Sequence, residues 1–281
     1  MSVNIKPRHI VEALIFERAP DVIHSVFWPV IRPILYGLLG YRQAVDMADA
    51  IAGLSGPKAM DYVDDLLDLK LEISHLERVP EKGRCVIICN HPTGIADGVA
   101  VYRALKQRRP DLIFFANADA LRVCAGLAQS LIPVEWVEAK RTRQKARDTL
   151  LAAKAAFESE RCIVLFPAGR LARCGADGVL RDPPWAPTAI SLAQKYQAPI
   201  IPLHISGPNS FWFHSFDKVS TQLRDITLFL ELLNKARKRF ELRFGPVVSG
   251  ARLERDDANE ALKTFIERDL ATDKESLFEP C

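Results

Sequence analysis

The spacing of apolar and polar positions changes at residue 69. Before it, apolar residues recur at helical intervals over residues 9–20, Tyr41–Ala52 and Pro57–Asp68, with Gly53 and the Ser55-Gly56-Pro57 turn as a break. Pro57 suits the first turn of a helix. After residue 69 short apolar runs alternate with helical patterns. Leu69, Leu71 and Ile73 alternate with polar residues, as in a half-buried strand, and Val86-Ile87-Ile88 reads as a fully buried one. Further strands are expected at Leu112–Ala116, Leu131–Val137, Cys162–Phe166, Pro199–Ile205 and Phe240–Phe244. Helices are expected at Asp97–Lys106, Asp119–Gln129, Arg141–Ser159, Pro187–Tyr196, Val219–Lys238 and Asp256–Leu270. The alternation predicts an α/β fold, a largely parallel mixed sheet flanked by helices. The expected division is a helical N-terminal segment, residues 1–68, and an α/β domain, residues 69–281.

One segment departs from both patterns. Val22–Leu39 is rich in Val, Ile, Leu, Phe and Trp but is interrupted by Pro29, Arg32 and Pro33. A spanning helix needs about 20 mostly apolar residues, and a central arginine is costly in the bilayer. Two readings fit: a helix pair on or dipping into a membrane surface, or a buried helical hairpin. In the first, Trp28 and Tyr36 sit at the interface and Arg32 reaches the headgroups.

Composition narrows the class. The 281 residues are 48% hydrophobic and 26% charged, which excludes wholesale disorder. A net charge of +3 gives no ground for a nucleic-acid partner. The six cysteines form no C-x-x-C pair, and Cys85 and Cys89 lie in an apolar run, as expected of reduced buried thiols rather than disulfides or a zinc site. No histidine and carboxylate spacing suggests a metal, and no glycine loop suggests a bound nucleotide.

In parallel sheets, active residues collect beyond the carboxyl ends of strands. Two strand ends carry candidates. After Cys89 comes Asn90-His91-Pro92-Thr93-Gly94-Ile95-Ala96-Asp97. Neutral imidazole is a base suited to neutral pH, and a carboxylate on its other nitrogen fixes the tautomer. Asp97 is equally placed to cap the following helix, and His91 to be an ordinary loop residue. After Leu165 comes Phe166-Pro167-Ala168-Gly169-Arg170. The Arg170 guanidinium suits phosphate or carboxylate, and Gly169 lets backbone approach a ligand; a solvated surface arginine is the alternative. The basic residues Lys140, Arg141, Arg143, Lys145, Arg147 and Lys154 suit either anionic lipid, an acyl carrier or plain solvation. His204 and Ser206, two apart on one strand, make a poor nucleophile pair and read as a wall of the site.

Taken in order, these two motifs resemble those of the glycerolipid acyltransferase superfamily, of which lysophosphatidate acyltransferases are the best-known members. Asp182-Pro183-Pro184-Trp185, Ala198-Pro199-Ile200-Ile201-Pro202 and Gly207-Pro208-Asn209-Ser210 are similar to its hemolysin-like, lyso-ornithine-lipid branch, as are Leu233-Asn234-Lys235 and Phe244-Gly245. The resemblance runs from about Leu69 to Val248. It implies transfer of a fatty acyl group from acyl carrier protein or coenzyme A, as co-substrate, to a lipid hydroxyl, with no bound cofactor or metal. It implies His91 as general base, Asp97 as its partner, and Gly169 and Arg170 at the acceptor's anionic head. Backbone amides at Thr93 and Gly94 are the expected oxyanion donors. A membrane-docking N-terminus is also implied, with the chain peripheral or monotopic on the cytoplasmic face of the inner membrane.

Two departures bear on the acceptor. Five residues separate His91 from Asp97 where the family usually has four, and Ala168 stands where glutamate is usual. The missing carboxylate leaves room for a lyso-ornithine lipid beside lysophosphatidate. A non-catalytic membrane-surface protein of the same fold, or a thioesterase, are the alternatives.

Overall fold

The buried strands and their flanking helices form one α/β layer in the computed structural model, which describes residues 7–38, 40–135, 137, 140–175, 178–208, 228–249, 253 and 257–278. The nine strands among them are β1 (Lys70–Ser74), β2 (Cys85–Cys89), β3 (Ile113–Asn117), β4 (Leu131–Val134), β5 (Cys162–Leu165), β6 (Arg173–Cys174), β7 (Leu180–Arg181), β8 (Ile200–Ser206) and β9 (Arg239–Phe244). Seven form a sheet in the order β1-β9-β8-β2-β5-β3-β4; β6 and β7 pair separately. Every neighbouring pair in the large sheet is parallel except β8 with β9. The mixed, largely parallel sheet expected from the sequence is therefore present.

Central β2 shows why its apolar run is continuous. Cys85, Ile87 and Cys89 point into the apolar layer on one face, Val86 and Ile88 into that on the other. A strand covered on both faces has no polar side to display. Asn90 ends the run without breaking the ladder. Its side-chain amide donates to the C=O of Ile205 at 2.9 Å and accepts from the Ile205 N–H at 2.7 Å, so it extends the β2–β8 pairing as a backbone group would.

The helices before the sheet are α1 (Ile10–Arg18), α2 (Pro20–Ile23), α3 (Trp28–Leu38), α4 (Tyr41–Ile51) and α5 (Gly56–Leu67). Those that follow are α6 (Ile95–Leu105), α7 (Asp119–Val123), α8 (Arg143–Glu158), α9 (Thr188–Lys195), α10 (Leu228–Leu233) and α11 (Ala258–Thr264), the last continued by a π-helical turn, Phe265–Asp269. The helix expected over Asp119–Gln129 stops at Cys124, which is extended, and resumes as a short 3-10 turn. The start of the helix expected at Val219, together with Asn209 and Ser210, lies outside the described residues.

The N-terminal helices revise the expected orientation of Val22–Leu39. Trp28 is buried among Val11, Ile15, Ile23 and Ala44. Arg32 does not face outward: its Nη2 lies 2.8 Å from Oε1 of buried Glu12, which also accepts from the Tyr36 hydroxyl at 3.0 Å. A buried carboxylate needs such partners, and this one recruits both polar residues that the sequence reading gave to a membrane interface. The outward face of the segment is instead apolar. Val26 is 86% exposed and Val30 68%, with Phe27, Ile34 and Leu38 similarly uncovered. Phe27, Val30, Ile34 and Leu38 recur at helical spacing, so α3 is apolar on both sides. No helix among the described residues is long and apolar enough to cross a membrane.

Candidate functional site

The two motifs meet because their strands are neighbours. β2 and β5 run parallel, with Ile88 opposite Leu165, so Asn90-His91 and Phe166-Pro167 leave the sheet side by side. The turn after Asn90 reverses through Gly94, whose φ of +94° is accessible to glycine and strained for other residues. A Cβ there would also lie 3.1 Å from the Leu171 side chain.

That reversal brings Asp97 back under His91. The His91 Nδ1 and Asp97 Oδ2 are 2.9 Å apart. Asp97 is wholly buried, and His91 is 17% exposed. The carboxylate accepts three further bonds: from the Thr93 N–H at 2.9 Å, the Gly94 N–H at 3.0 Å and the Thr93 hydroxyl at 2.6 Å. Asp97 is therefore both things its position allowed, a helix-start residue holding the orphan amides of α6 and the partner of an imidazole. The five-residue gap is compatible with direct contact. The Thr93 and Gly94 amides, expected as oxyanion donors, are bonded to Asp97 in this arrangement.

With Nδ1 engaged by a carboxylate, Nδ1 carries the proton and Nε2 is the basic nitrogen. Nε2 has no hydrogen-bond partner among the described residues. The Phe166 ring lies beside the imidazole, centroids 4.4 Å apart and planes tilted by 31°. The second motif thus touches the first through its aromatic residue, a contact the sequence reading did not anticipate.

Beyond Phe166 the chain turns at Gly169, whose φ is +60°. Arg170 is exposed and has no hydrogen-bond or ion-pair partner among the described residues. Ala168 packs its methyl against the apolar layer that includes Ile88 and Leu165.

The loop after Arg170 is structured. It pairs β6 with β7 and closes against the site at three points. The Ala172 N–H donates to the His91 C=O at 2.9 Å, and the Ala186 N–H to the Pro167 C=O at 3.1 Å. Between them Asp182 receives the His91 backbone N–H, with its two oxygens at 3.0 and 3.2 Å. Its Oδ2 also accepts from Trp185 Nε1 at 2.9 Å. Burial pushes the Asp182 carboxyl up to about 7, and nearby Glu267 adds to the rise while His91 and the Trp185 bond oppose it. The only sequence signal for this residue was its place in the Asp-Pro-Pro-Trp stretch; nothing local connected it to His91.

A cavity of about 190 Å³ lies behind this loop, lined by Asn90, Pro92, Asp182, His204, Ser206 and Glu267 among others. His204 Nδ1–H donates to the Ile266 C=O at 2.9 Å. Burial pushes His204 down to about 4, so it is neutral at pH 7. It serves as a wall rather than a base. Among the described residues no cluster of His, Cys, Asp and Glu is arranged to hold a metal ion.

An Acyltransferase family model matches residues 70–206, from the first residue of β1 to the last of β8. A lyso-glycine lipid O-acyltransferase of Phocaeicola vulgatus is 32% identical over 187 residues, covering 64% of this chain and 65% of that protein. A second lyso-glycine lipid O-acyltransferase, from Bacteroides thetaiotaomicron, is 29% identical over 187 residues, 64% of this chain and 66% of its own length. The chain thus spans just under two thirds of these relatives. Among solved structures, the 1-acyl-sn-glycerophosphate (LPA) acyltransferase PlsC from Thermotoga maritima aligns with a TM-score of 0.48 at 12% identity, over 95% of this chain and 98% of that one. The matched region, in which the chain is similar to the Acyltransferase family, contains both motifs and the strands that bring them together.

Proposed function

We propose that this protein is an O-acyltransferase of membrane lipid synthesis that moves a fatty acyl group from an acyl thioester to the hydroxyl of a lysolipid. The observation that carries the proposal is the His91–Asp97 pair, 2.9 Å apart at the end of β2, with Nε2 left without a described partner. Nε2 takes the proton from the acceptor hydroxyl as its oxygen attacks the thioester carbonyl. Asp97 steadies the imidazolium that forms. When the tetrahedral intermediate collapses, the C–S bond breaks, the new C–O ester remains, and His91 returns the proton to the leaving thiolate. Arg170, raised by the turn at Gly169, receives the anionic part of the acceptor head.

The relatives named lyso-glycine lipid O-acyltransferases, together with Ala168, support an acceptor with an amino-acid head over lysophosphatidate. The donor is acyl carrier protein or acyl-coenzyme A. Purified protein is incubated with a labelled donor of each kind and with lyso-glycine lipid, lyso-ornithine lipid and lysophosphatidate, and the lipids are separated. Ester formed on an amino-acid lysolipid is the expected result. Free fatty acid released equally without any acceptor identifies a thioesterase instead, and inertness toward all pairs a non-catalytic protein.

The exposed apolar face of α3 supports a peripheral place on the membrane, at the cytoplasmic leaflet where acyl thioesters are made. Seating Phe27, Val30 and Ile34 in the acyl–headgroup boundary is worth about 1.5–3 kcal/mol for each side chain fully removed from water. Replacing all three by serine is expected to lower sedimentation with phosphatidylglycerol–phosphatidylethanolamine vesicles at least a hundredfold. Equal sedimentation of the variant and the unchanged protein rules out this face as the docking surface.

A further inference from the structure

We infer that Asp182 is a positioning residue for His91: its ionised carboxylate holds the His91 backbone and favours the imidazolium that acyl transfer generates. The inference rests on the acyl-transfer reading of the His91 site.

The geometry is specific. His91 is the first residue after Asn90 leaves the sheet, and nothing in the β2 ladder holds its backbone. Its N–H is held by Asp182 and its C=O by Ala172, both from the loop that contains β6 and β7. The ring is held separately, by Asp97 and Phe166. The base is therefore clamped by two carboxylates, one on the ring and one on the main chain.

Asp182 is itself locked. Trp185 Nε1 donates to its Oδ2 at 2.9 Å. Its own N–H donates to Glu267 Oε1 at 2.6 Å, and Glu267 Oε2 pairs with Lys263 at 2.6 Å. Burying an aspartate at 5% exposure is costly, and a neutral amide could accept the same N–H at lower cost. What only the carboxylate supplies is charge. A negative charge near the imidazole in a water-poor site lowers the free energy of the imidazolium relative to neutral His91, and so acts on the transition state rather than on acceptor binding.

The charged and titratable groups around Asp182 are His91 on the motif turn, Glu267 on the π-helical turn, Lys263 of α11 through Glu267, Arg181 beside it in β7, and His204 across the cavity. His204 is neutral at pH 7, and the Glu267–Lys263 pair has no net charge when both are ionised. Asp182 is a carboxylate whose charge changes near neutrality. It is ionised above about 7 and protonated below, so its contribution is present at higher pH and lost as pH falls through that value.

The test compares wild type, Asp182→Asn and Trp185→Phe. Wild-type kcat is expected to pass through a step near pH 7, and Asp182→Asn to lack that step and to show about tenfold lower kcat at pH 8 with KM within twofold. Trp185→Phe removes a bond that favours the ionised form, so it is expected to move the step to higher pH; it also serves if Asp182→Asn fails to fold. A readout free of activity is the His91 Nδ1–H proton resonance. It is expected to show a transition near pH 7 in wild type that follows Asp182, and to lose that transition in Asp182→Asn. If the resonance shifts but no acyl transfer is found, the acyl-transfer reading fails and the clamp stands. If the step and the resonance are the same in wild type and Asp182→Asn, the clamp is overturned.

Discussion

His91→Ala is expected to lower kcat for lysolipid acylation about 10²–10⁴-fold, the usual contribution of a positioned general base, while leaving the fold intact. The two halves of that expectation have separate grounds. The rate falls because the imidazole presents Nε2 as its free basic atom while Nδ1 is occupied by Asp97 at 2.9 Å. The fold survives because the bonds anchoring this turn to the rest of the protein are made by the His91 backbone, to Asp182 and Ala172, and alanine keeps both. The lost packing is that against the Phe166 ring. Initial rates with saturating donor, beside a urea unfolding curve, separate the two effects. Unchanged transfer by a folded His91→Ala protein would remove the base from the mechanism.

The second large effect is expected at Asp97, where catalysis and stability are coupled. The carboxylate accepts four hydrogen bonds while fully buried. In Asp97→Asn an NH₂ replaces one acceptor oxygen; set against the Thr93 hydroxyl, which can turn to accept, it places one N–H and leaves the other unpaired, at a cost of about 1–3 kcal/mol. The same change removes the charge that steadies the imidazolium and the acceptor that fixes its tautomer. In serine hydrolase triads the equivalent replacement lowers kcat about 10⁴-fold. We therefore expect a loss of about 10³-fold or more in kcat for the folded fraction, with stability reduced by about 2 kcal/mol. Stability lost with kcat unchanged would show that Asp97 is only the start of α6.

Much of this site was legible because its signals are local. An apolar run covered on both faces must end where Asn90-His91-Pro92 begins, and glycine four residues on permits the chain to return. The motif at Phe166–Arg170 was readable for the same reason. What stayed hidden depends on partners far away in sequence. The carboxylate on the His91 backbone lies 91 residues on, in the Asp182-Pro183-Pro184-Trp185 stretch. The amides of Thr93 and Gly94 looked available until the fold of the turn aimed them at Asp97. At the N-terminus, Trp28, Arg32 and Tyr36 looked interfacial by residue type. The buried Glu12 on a different helix draws Arg32 and Tyr36 inward.

By itself, then, the order of residues determined the α/β alternation, the two strand ends with candidate residues, and the placing of a histidine and an aspartate across one turn. These follow from hydrophobic periodicity and from the few conformations a short loop can adopt. Only the tertiary structure decided which strands are neighbours, and hence that Phe166 lies against His91. It also decided which face of α3 meets solvent and which distant carboxylate holds the His91 backbone. Those outcomes depend on packing and hydrogen-bond satisfaction summed over the whole chain. A buried polar group takes whichever partner the completed fold brings within reach, and sequence distance sets no limit on where that partner comes from.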